Sequence, residues 1–425
     1  MSTGEKKLRS EKIAVIGLGL VGGYLVQRLS EKGYSVDVFE ISNSSRLTEF
    51  DVEKKINIIG DEYKAASQGR FFGLGGTTHD WGGQLVFLDQ GNSRFEKIIK
   101  KHKKKVLNFF GLKIKLNNKE GVNGVWLKSS KRSILNYIDK TNLNFYEENV
   151  ISLKKNNALW TLQTKSLKTF NGYDKVFLCC GAFENCSIMY ESGFLENEKV
   201  FFKDHVSTPL FEIQNMKPTI KNVDFTPILK YNGMLTKRIN YKNKGFISIA
   251  FNEKIFFFKL LKKLLYNNEN IQFKNIKIFK EIKFLFLFIL NLFLGRLFVD
   301  RSFWRIIIDI EKQEFSSLNL SSKTINWTVD KSTKKELNNA QDEMENFLVS
   351  NGYNYSKLQI ESEKLVDCYH PVAFSYANKK MLVDIDGKIF DNVYNFSTGI
   401  LPFASYSNPS VNVLCLIEEY LNLNE

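Results

Sequence analysis

This sequence predicts an α/β fold in which a Rossmann-like dinucleotide-binding unit is joined to a second region built mainly of strands. Three observations carry that expectation. The stretch from Lys12 to Glu40, KIAVIGLGLVGGYLVQRLSEKGYSVDVFE, reads as strand, glycine turn, helix, strand and acid. The segment from Lys175 to Asn185, KVFLCCGAFEN, reads as a buried strand running into Gly181 and a helix. From about Val206 to Leu365 glycine becomes scarce and apolar residues alternate with polar ones.

In the first stretch the apolar run Ile13 to Ile16 meets Gly17-x-Gly19-x-x-Gly22. Gly17 permits the tight turn, Gly19 lets the backbone approach a pyrophosphate, and Gly22 lets helix and strand pack closely. The N-terminus of the following helix offers N–H groups and the positive end of its dipole to the phosphates. Glu40, closing the second strand, stands where an acid accepts from a ribose 2′-hydroxyl. A glycine turn in an unrelated α/β unit would not require that acid. The same carboxylate repels a 2′-phosphate, which disfavours NADP and leaves FAD and NAD.

The 425 residues suffice for two domains and a large core. A hydrophobic content of 43% and a charged content of 25% are ordinary for a soluble globular protein. The net charge of +14 is not, but it accompanies a Lys, Asn, Ile and Phe bias spread through the whole chain, with no RNA- or DNA-binding signature. Nucleic acid is therefore not an expected partner, while an anionic substrate or membrane surface stays open. The cysteines (Cys179, Cys180, Cys186, Cys368 and Cys415) form no C-x-x-C pair and leave an odd one over, which fits a reducing compartment. Lys6, Lys7 and Arg9 ahead of an apolar stretch mimic a secretory signal, yet the glycine fingerprint accounts for that stretch and no small-residue cleavage site follows. The expected location is the cytoplasm, with peripheral membrane contact left open.

Beyond Glu40 the chain is polar and irregular until Gln68 to Gln84, QGRFFGLGGTTHDWGGQ. Glycines recur there too densely for helix or strand and predict a loop lying close to a flat ligand. Residues 111 to 171 alternate short β-like runs (Val122 to Leu127, Leu143 to Tyr146, Ala158 to Thr164) with turns, as a small meander does. The C-terminal part runs Asp367-Cys-Tyr-His370-Pro, then Met381 to Phe390, Val393 to Pro402, and Ser405-Tyr-Ser-Asn408-Pro409 ahead of a closing helix.

The segment GLGGTTHDWGG, from Gly73 to Gly83, resembles the second flavin-contacting motif of the glucose–methanol–choline (GMC) oxidoreductases, particularly their bacterial carbohydrate-oxidising members. The strand ending at Gly181, the pair Asp204-His205 and the C-terminal order are similar to that family as well. The resemblance covers about residues 12 to 205 and 306 to 425. It implies FAD as cofactor, a discontinuous FAD-binding domain of residues 1–205 and 366–425, and a substrate domain of residues 206–365 whose antiparallel sheet roofs the flavin. It further implies cofactor contacts from Gly75, Gly76, Thr77, His79, Trp81, Gly82, Gly181, Gly399, Asn408 and Pro409. The implied reaction is oxidation of a CH–OH group in a carbohydrate or glycoconjugate, free or lipid-linked, with an electron acceptor that the sequence does not name.

Such a reaction needs a base for the hydroxyl proton, and histidine suits the task because its ordinary pKa lies near working pH. Of the four histidines, His102 lies in a lysine run and is expected to be solvated, and His205 is expected to be structural. His370 remains, and it falls at the family's catalytic position. Asn408 matches the family's partner position, where an amide holds the substrate oxygen; capping the last helix, with Pro409 at its first position, is the competing role. Some family members tether the flavin through a histidine in the loop of His79, but one position later, where this chain has Asp80, so a noncovalent contact is expected. The family's usual Gly-Thr pair after the catalytic histidine is replaced by Ala373 and Phe374. Phe374 is then expected to narrow the pocket, to stack on a sugar face or to mark a degenerate site. The last option keeps open a non-redox flavoprotein, either a membrane-associated scaffold or a flavin-dependent sugar isomerase.

Residues 253–299 stand apart as an insertion. Lys254 to Tyr266, KIFFFKLLKKLLY, sets Lys259, Lys262 and Lys263 on one helical stripe, and Phe284 to Leu294, FLFLFILNLFL, is nearly all apolar. A helix of the latter length reaches only about 16 Å, roughly half a bilayer's hydrocarbon core, and so does not span it. An interfacial hairpin with lysines at the head groups is one reading; apolar faces packed on the substrate domain or on another subunit is the other.

Overall fold

The computed structural model describes residues 9–113, 121–139, 143–213, 219–225, 227–230, 233–251, 304–361, 365–376 and 387–424, so the insertion at 253–299 lies outside the described residues. At its centre is a six-stranded sheet in the order Lys388–Phe390, Val393–Asn395, Lys175–Leu178, Arg9–Ile16, Tyr34–Glu40, Leu143–Glu147. All neighbours run parallel except the first pair. The run Ile13 to Ile16 is apolar without alternation because both faces of a parallel sheet are covered. Ile13 and Val15 point into one core with Leu25, Ile99 and Leu414, from the helices Leu20–Glu31, Arg94–Phe109 and Pro409–Leu423. Ala14 and Ile16 point into the other, with Trp160 and Leu153 of a three-stranded meander and Cys186 of the helix Ala182–Glu191.

Parallel strands end on the same edge, and this decides where a ligand can sit. Cys179 N–H donates to Ile16 O at 2.8 Å, Gly17 N–H to Phe39 O at 2.8 Å and Phe396 N–H to Leu178 O at 2.9 Å, lacing four carboxyl ends side by side. Gly17, Glu40, Gly181 and Ser397 therefore emerge into one crevice, although the first and last of them stand 380 residues apart in the chain.

A nine-stranded sheet, which lends Gln84 and Trp126 to the lining of that crevice, has the main path Tyr355–Lys357, His205–Ile213, Trp304–Glu311, Gly245–Phe251, Gly233–Tyr241, Val122–Leu127 and Gln84–Leu85. Its pairs are antiparallel. A five-stranded sheet follows the order Val372–Tyr376, Lys199–Lys203, Ser316–Asn319, Thr324–Trp327, Asn57–Gly60. Both draw strands from the first 205 residues as well as from 206–365, so the sheets interleave along the chain. The helix Lys331–Ser350 opens at Asp330, whose side chain accepts from Thr333 N–H at 2.7 Å. Among the described residues no helix is long and apolar enough to cross a membrane.

Two expectations are corrected. The runs between 111 and 171 do not form one meander: Val122–Leu127 joins the large sheet, Leu143–Glu147 joins the parallel sheet beside Tyr34–Glu40, and only the strands from Val150 to Tyr173 make a meander. Local alternation fixes a strand but not its partner. His102 is not solvated. It falls on the stripe of Phe95, Ile98, Ile99 and Val106 of a helix with a Ser93/Glu96 capping box, is only 1% exposed, and its Nε2 lies 2.5 Å from Glu419 Oε2.

Candidate active site

The crevice is a cleft of about 790 Å³, within the range of small-molecule sites. Gly17 turns the chain out of the first strand at φ +94°, against the backbone of Cys179 and Cys180. Gly19 faces open space in the cleft, and Gly22 is buried against the Gly17 carbonyl rather than lining it. Glu40 lines the cleft while accepting from Leu18 N–H at 2.7 Å and Ile41 N–H at 2.9 Å. Burial pushes its carboxyl up to about 7, against those amides and that of Gly73.

The glycine-rich loop folds back onto the first turn. Gly75 N–H donates to Leu18 O at 3.1 Å, and Gly76, at φ +49°, brings its α-carbon so near that a Cβ would lie 3.2 Å from Gly19 Cα. Gly76, Thr77, Asp80, Trp81 and Gly82 line the cleft. Gly75 and His79 do not: the ring nitrogen Nε2 of His79 is held 2.9 Å from Leu74 O within its own loop. Gly181 lines the cleft at φ +98°, ahead of a helix that Asn185 ties to the sheet through Leu178 O (2.9 Å) and Asn395 Oδ1 (2.7 Å).

His370 opens into the same cleft, together with Tyr369, Ser397, Thr398, Asn408 and Pro409. Its Nε2 lies 3.5 Å from Asn408 Nδ2, and its Nδ1 lies 3.2 Å from His205 Nδ1. Burial, with His205 and then Arg238 adding in the same direction, holds its imidazole well below 6.5. The Asn408 side chain does not cap the helix Pro409–Leu423, although Pro409 is that helix's first residue. Gly399 does not line the cleft; it makes room for the Phe374 ring. Phe374 is fully buried, stacked 5.3 Å from Phe202 and edge-on to Phe183 at 5.4 Å. It therefore neither narrows the cleft nor offers a face to a substrate. Ala373 takes the left-handed conformation (φ +55°) that glycine adopts more readily.

Three functional contributions escaped sequence reasoning. Asp204 Oδ1 accepts the backbone N–H of both His205 (2.7 Å) and His370 (2.8 Å), while its Oδ2 accepts from Tyr63 Oη at 2.9 Å. His205, read as structural, stands against His370. Gln84 and Trp126, from strands of the large sheet, form the cleft's roof. Only the pair Asp204-His205 left any signal, as a motif without a role.

These residues fit a flavin dinucleotide. A Cβ at Gly19 would meet no protein atom within 4 Å, leaving room for a pyrophosphate. The helix beginning at Leu20 has no side-chain cap and no acid in its first turn, so its dipole end is available to phosphate. Asn408 Oδ1 and Ser397 Oγ are buried at the cleft without a protein partner.

No known protein family's sequence profile matches the chain, and no curated protein matches it. Solved structures do. The crystal structure of pyridoxine 4-oxidase from Mesorbium loti superposes with a TM-score of 0.54 at 10% identity, over 97% of this chain and 99% of that one. The chain thus shares the fold of that oxidase. A tetracycline destructase, Tet(55), matches over 97% of this chain and 85% of its own at 12% identity, with a TM-score of 0.35. A putative thioredoxin reductase from Bacillus anthracis matches over 40% of this chain and 36% of its own at 14% identity, with a TM-score of 0.18. Neither of the last two is similar enough to bear on function.

Proposed function

We propose that the protein is an FAD-dependent oxidoreductase of GMC type that oxidises a CH–OH group, with His370 as the base. One observation carries the reading: the imidazole of His370, 3.5 Å from Asn408, opens into the same cleft as the Gly17 turn and Glu40. The cofactor, when bound, supplies the hydride acceptor. Asn408 Nδ2–H holds the substrate oxygen, and His370 Nε2 takes its proton. Glu40 and the start of the helix at Leu20 would hold the cofactor's ribose and phosphates. Trp126, Trp81 and Gln84 roof the cleft and limit water.

The substrate is proposed to be a sugar or sugar-containing molecule, on the resemblance of the loop Gly73 to Gly83. The structural relative acts, by its name, on pyridoxine, so the panel that tests this reading includes pyridoxine and simple alcohols. The packing of Phe374 in the core favours the enzyme over a degenerate site. Residues 1–205 and 366–425 are proposed as the cofactor-binding part and 206–365 as the substrate part, with strands at 57–60, 84–85, 122–127, 199–203, 366–367 and 372–376 lent to the five- and nine-stranded sheets. All five cysteines are free thiols, which supports a cytoplasmic setting. For 253–299 we propose contact with an anionic membrane surface; deleting residues 254–299 should abolish liposome flotation, and persistent flotation refutes it.

Purification decides the main reading. A stoichiometric yellow flavin that bleaches anaerobically with a member of the panel is the expected result. A stable, flavin-free fold overturns it.

A further inference from the structure

We propose that His205 is a positioning residue that fixes the tautomer of His370, keeping the proton on Nδ1 and leaving Nε2 as a lone pair toward the cleft. The inference rests on the reading of His370 as the base, but the tautomer itself follows from the hydrogen bonds and the burial of His205.

The argument starts at a carbonyl. His205 Nε2 lies 2.6 Å from the backbone oxygen of Ser405, which can only accept, so Nε2 carries the hydrogen. His205 is wholly buried, which pushes its pKa down to about 4, so the ring is neutral and its other nitrogen bears only a lone pair. That nitrogen, Nδ1, faces Nδ1 of His370 at 3.2 Å. Two ring nitrogens make a hydrogen bond only if one of them is protonated, and the one on His205 is not. The hydrogen therefore belongs to His370, and its Nε2 is the acceptor that points at Asn408 Nδ2–H, 3.5 Å away.

The surroundings hold this direction in place. Asp204 Oδ1 grips the backbone N–H of both histidines, fixing the spacing of their rings. The Ser405 carbonyl is set by a left-handed residue (φ +49°) whose N–H donates to Glu311 Oε2 at 3.3 Å, alongside Ala404 N–H at 2.9 Å. The edge of His205 meets the Phe246 ring, with centroids 5.8 Å apart. Arg238 disfavours a proton on either ring, and Arg238 in turn feels the charge of Asp309, which accepts from Cys368 Sγ at 3.2 Å. When His370 accepts a hydroxyl proton at Nε2 it becomes an imidazolium that keeps its Nδ1–H on His205; no proton need pass to Ser405. The opposite tautomer would present an N–H to the substrate hydroxyl and could not accept.

The experiment is nitrogen–proton correlation of the histidine rings in the full-length, flavin-loaded protein. His370 should show a protonated Nδ1 and a bare Nε2, and His205 a protonated Nε2. In His205→Phe, signal for a protonated Nε2 on His370 should appear, and kcat for flavin reduction should fall on the order of tenfold or more with flavin content unchanged. His205→Asn, which keeps an acceptor near the place of Nδ1, should restore both the tautomer and much of kcat. A wild-type His370 protonated on Nε2, or a tautomer unmoved by His205→Phe, overturns the inference. A wild-type spectrum as expected, together with unchanged flavin reduction in His370→Ala, overturns the base assignment instead and leaves the tautomer standing.

Discussion

The carbonyl oxygen of Gly17 lies so close to Gly22 that a Cβ on Gly22 would stand 1.9 Å from it, whereas a Cβ on Gly19 would meet nothing within 4 Å. Two glycines of one turn thus answer to different partners, and substitution separates them. Gly22→Ala should cost about 1–3 kcal/mol of stability, from forced displacement of a packed helix. Gly19→Ala, whose backbone is extended at φ −75° and ψ −162°, should leave the melting midpoint unchanged or slightly raised while abolishing flavin retention. Denaturant unfolding and flavin absorbance of the two variants check this. A Gly19→Ala protein with full flavin would remove the pyrophosphate from that turn.

His370→Ala should lower the rate of anaerobic flavin reduction by about 10²-fold or more, with bound flavin retained. Because burial, His205 and Arg238 hold the wild-type imidazole well below 6.5, Nε2 stays unprotonated as pH falls through 6.5. The acid limb of the kcat/KM profile should therefore lie below 6.5; a limb at or above that value would contradict the enclosure of His370.

Glu40 should make flavin binding depend on pH. Its carboxyl is raised from 4.5 to about 7 by burial, so the flavin-free protein is more stable in the protonated form. That contribution, about 3 kcal/mol, is full below 4.5 and is lost as pH rises through 7. Ribose hydroxyls favour the ionised form. Flavin affinity should accordingly rise between pH 6 and 8 and level off above, and Glu40→Gln should flatten the curve. Fluorescence titration at three pH values measures it.

Phe374→Ala should destabilise the protein by about 3–5 kcal/mol, as emptying a large core position does. Per folded molecule, flavin reduction should change little, because the ring packs on Phe202 and Phe183 and not on the cleft. A large shift in KM with intact stability would place the ring in the substrate's path.

The glycine turn and Glu40 were legible in the sequence because a tight turn, a close backbone approach and an acid each demand a residue type at a fixed spacing. The approach of His370 and Asn408 was legible only through resemblance. His102 was misread because charged neighbours in KKHKKK hide the apolar stripe of Phe95, Ile98, Ile99 and Val106, which only helical geometry gathers. The Asp204 clamp was invisible for another reason. It joins Tyr63, His205 and His370, brought together by pairing of strands whose partners lie far along the chain, and no local pattern encodes such pairing.

Phe251 and Trp304 face each other across an antiparallel ladder, and residues 252–303 run between them. A tight two-residue turn would close the same ladder without that stretch. Residues 252–303 thus leave and re-enter the large sheet at one paired position, so excising them should leave the ladder of Gly245–Phe251 against Trp304–Ile310 intact.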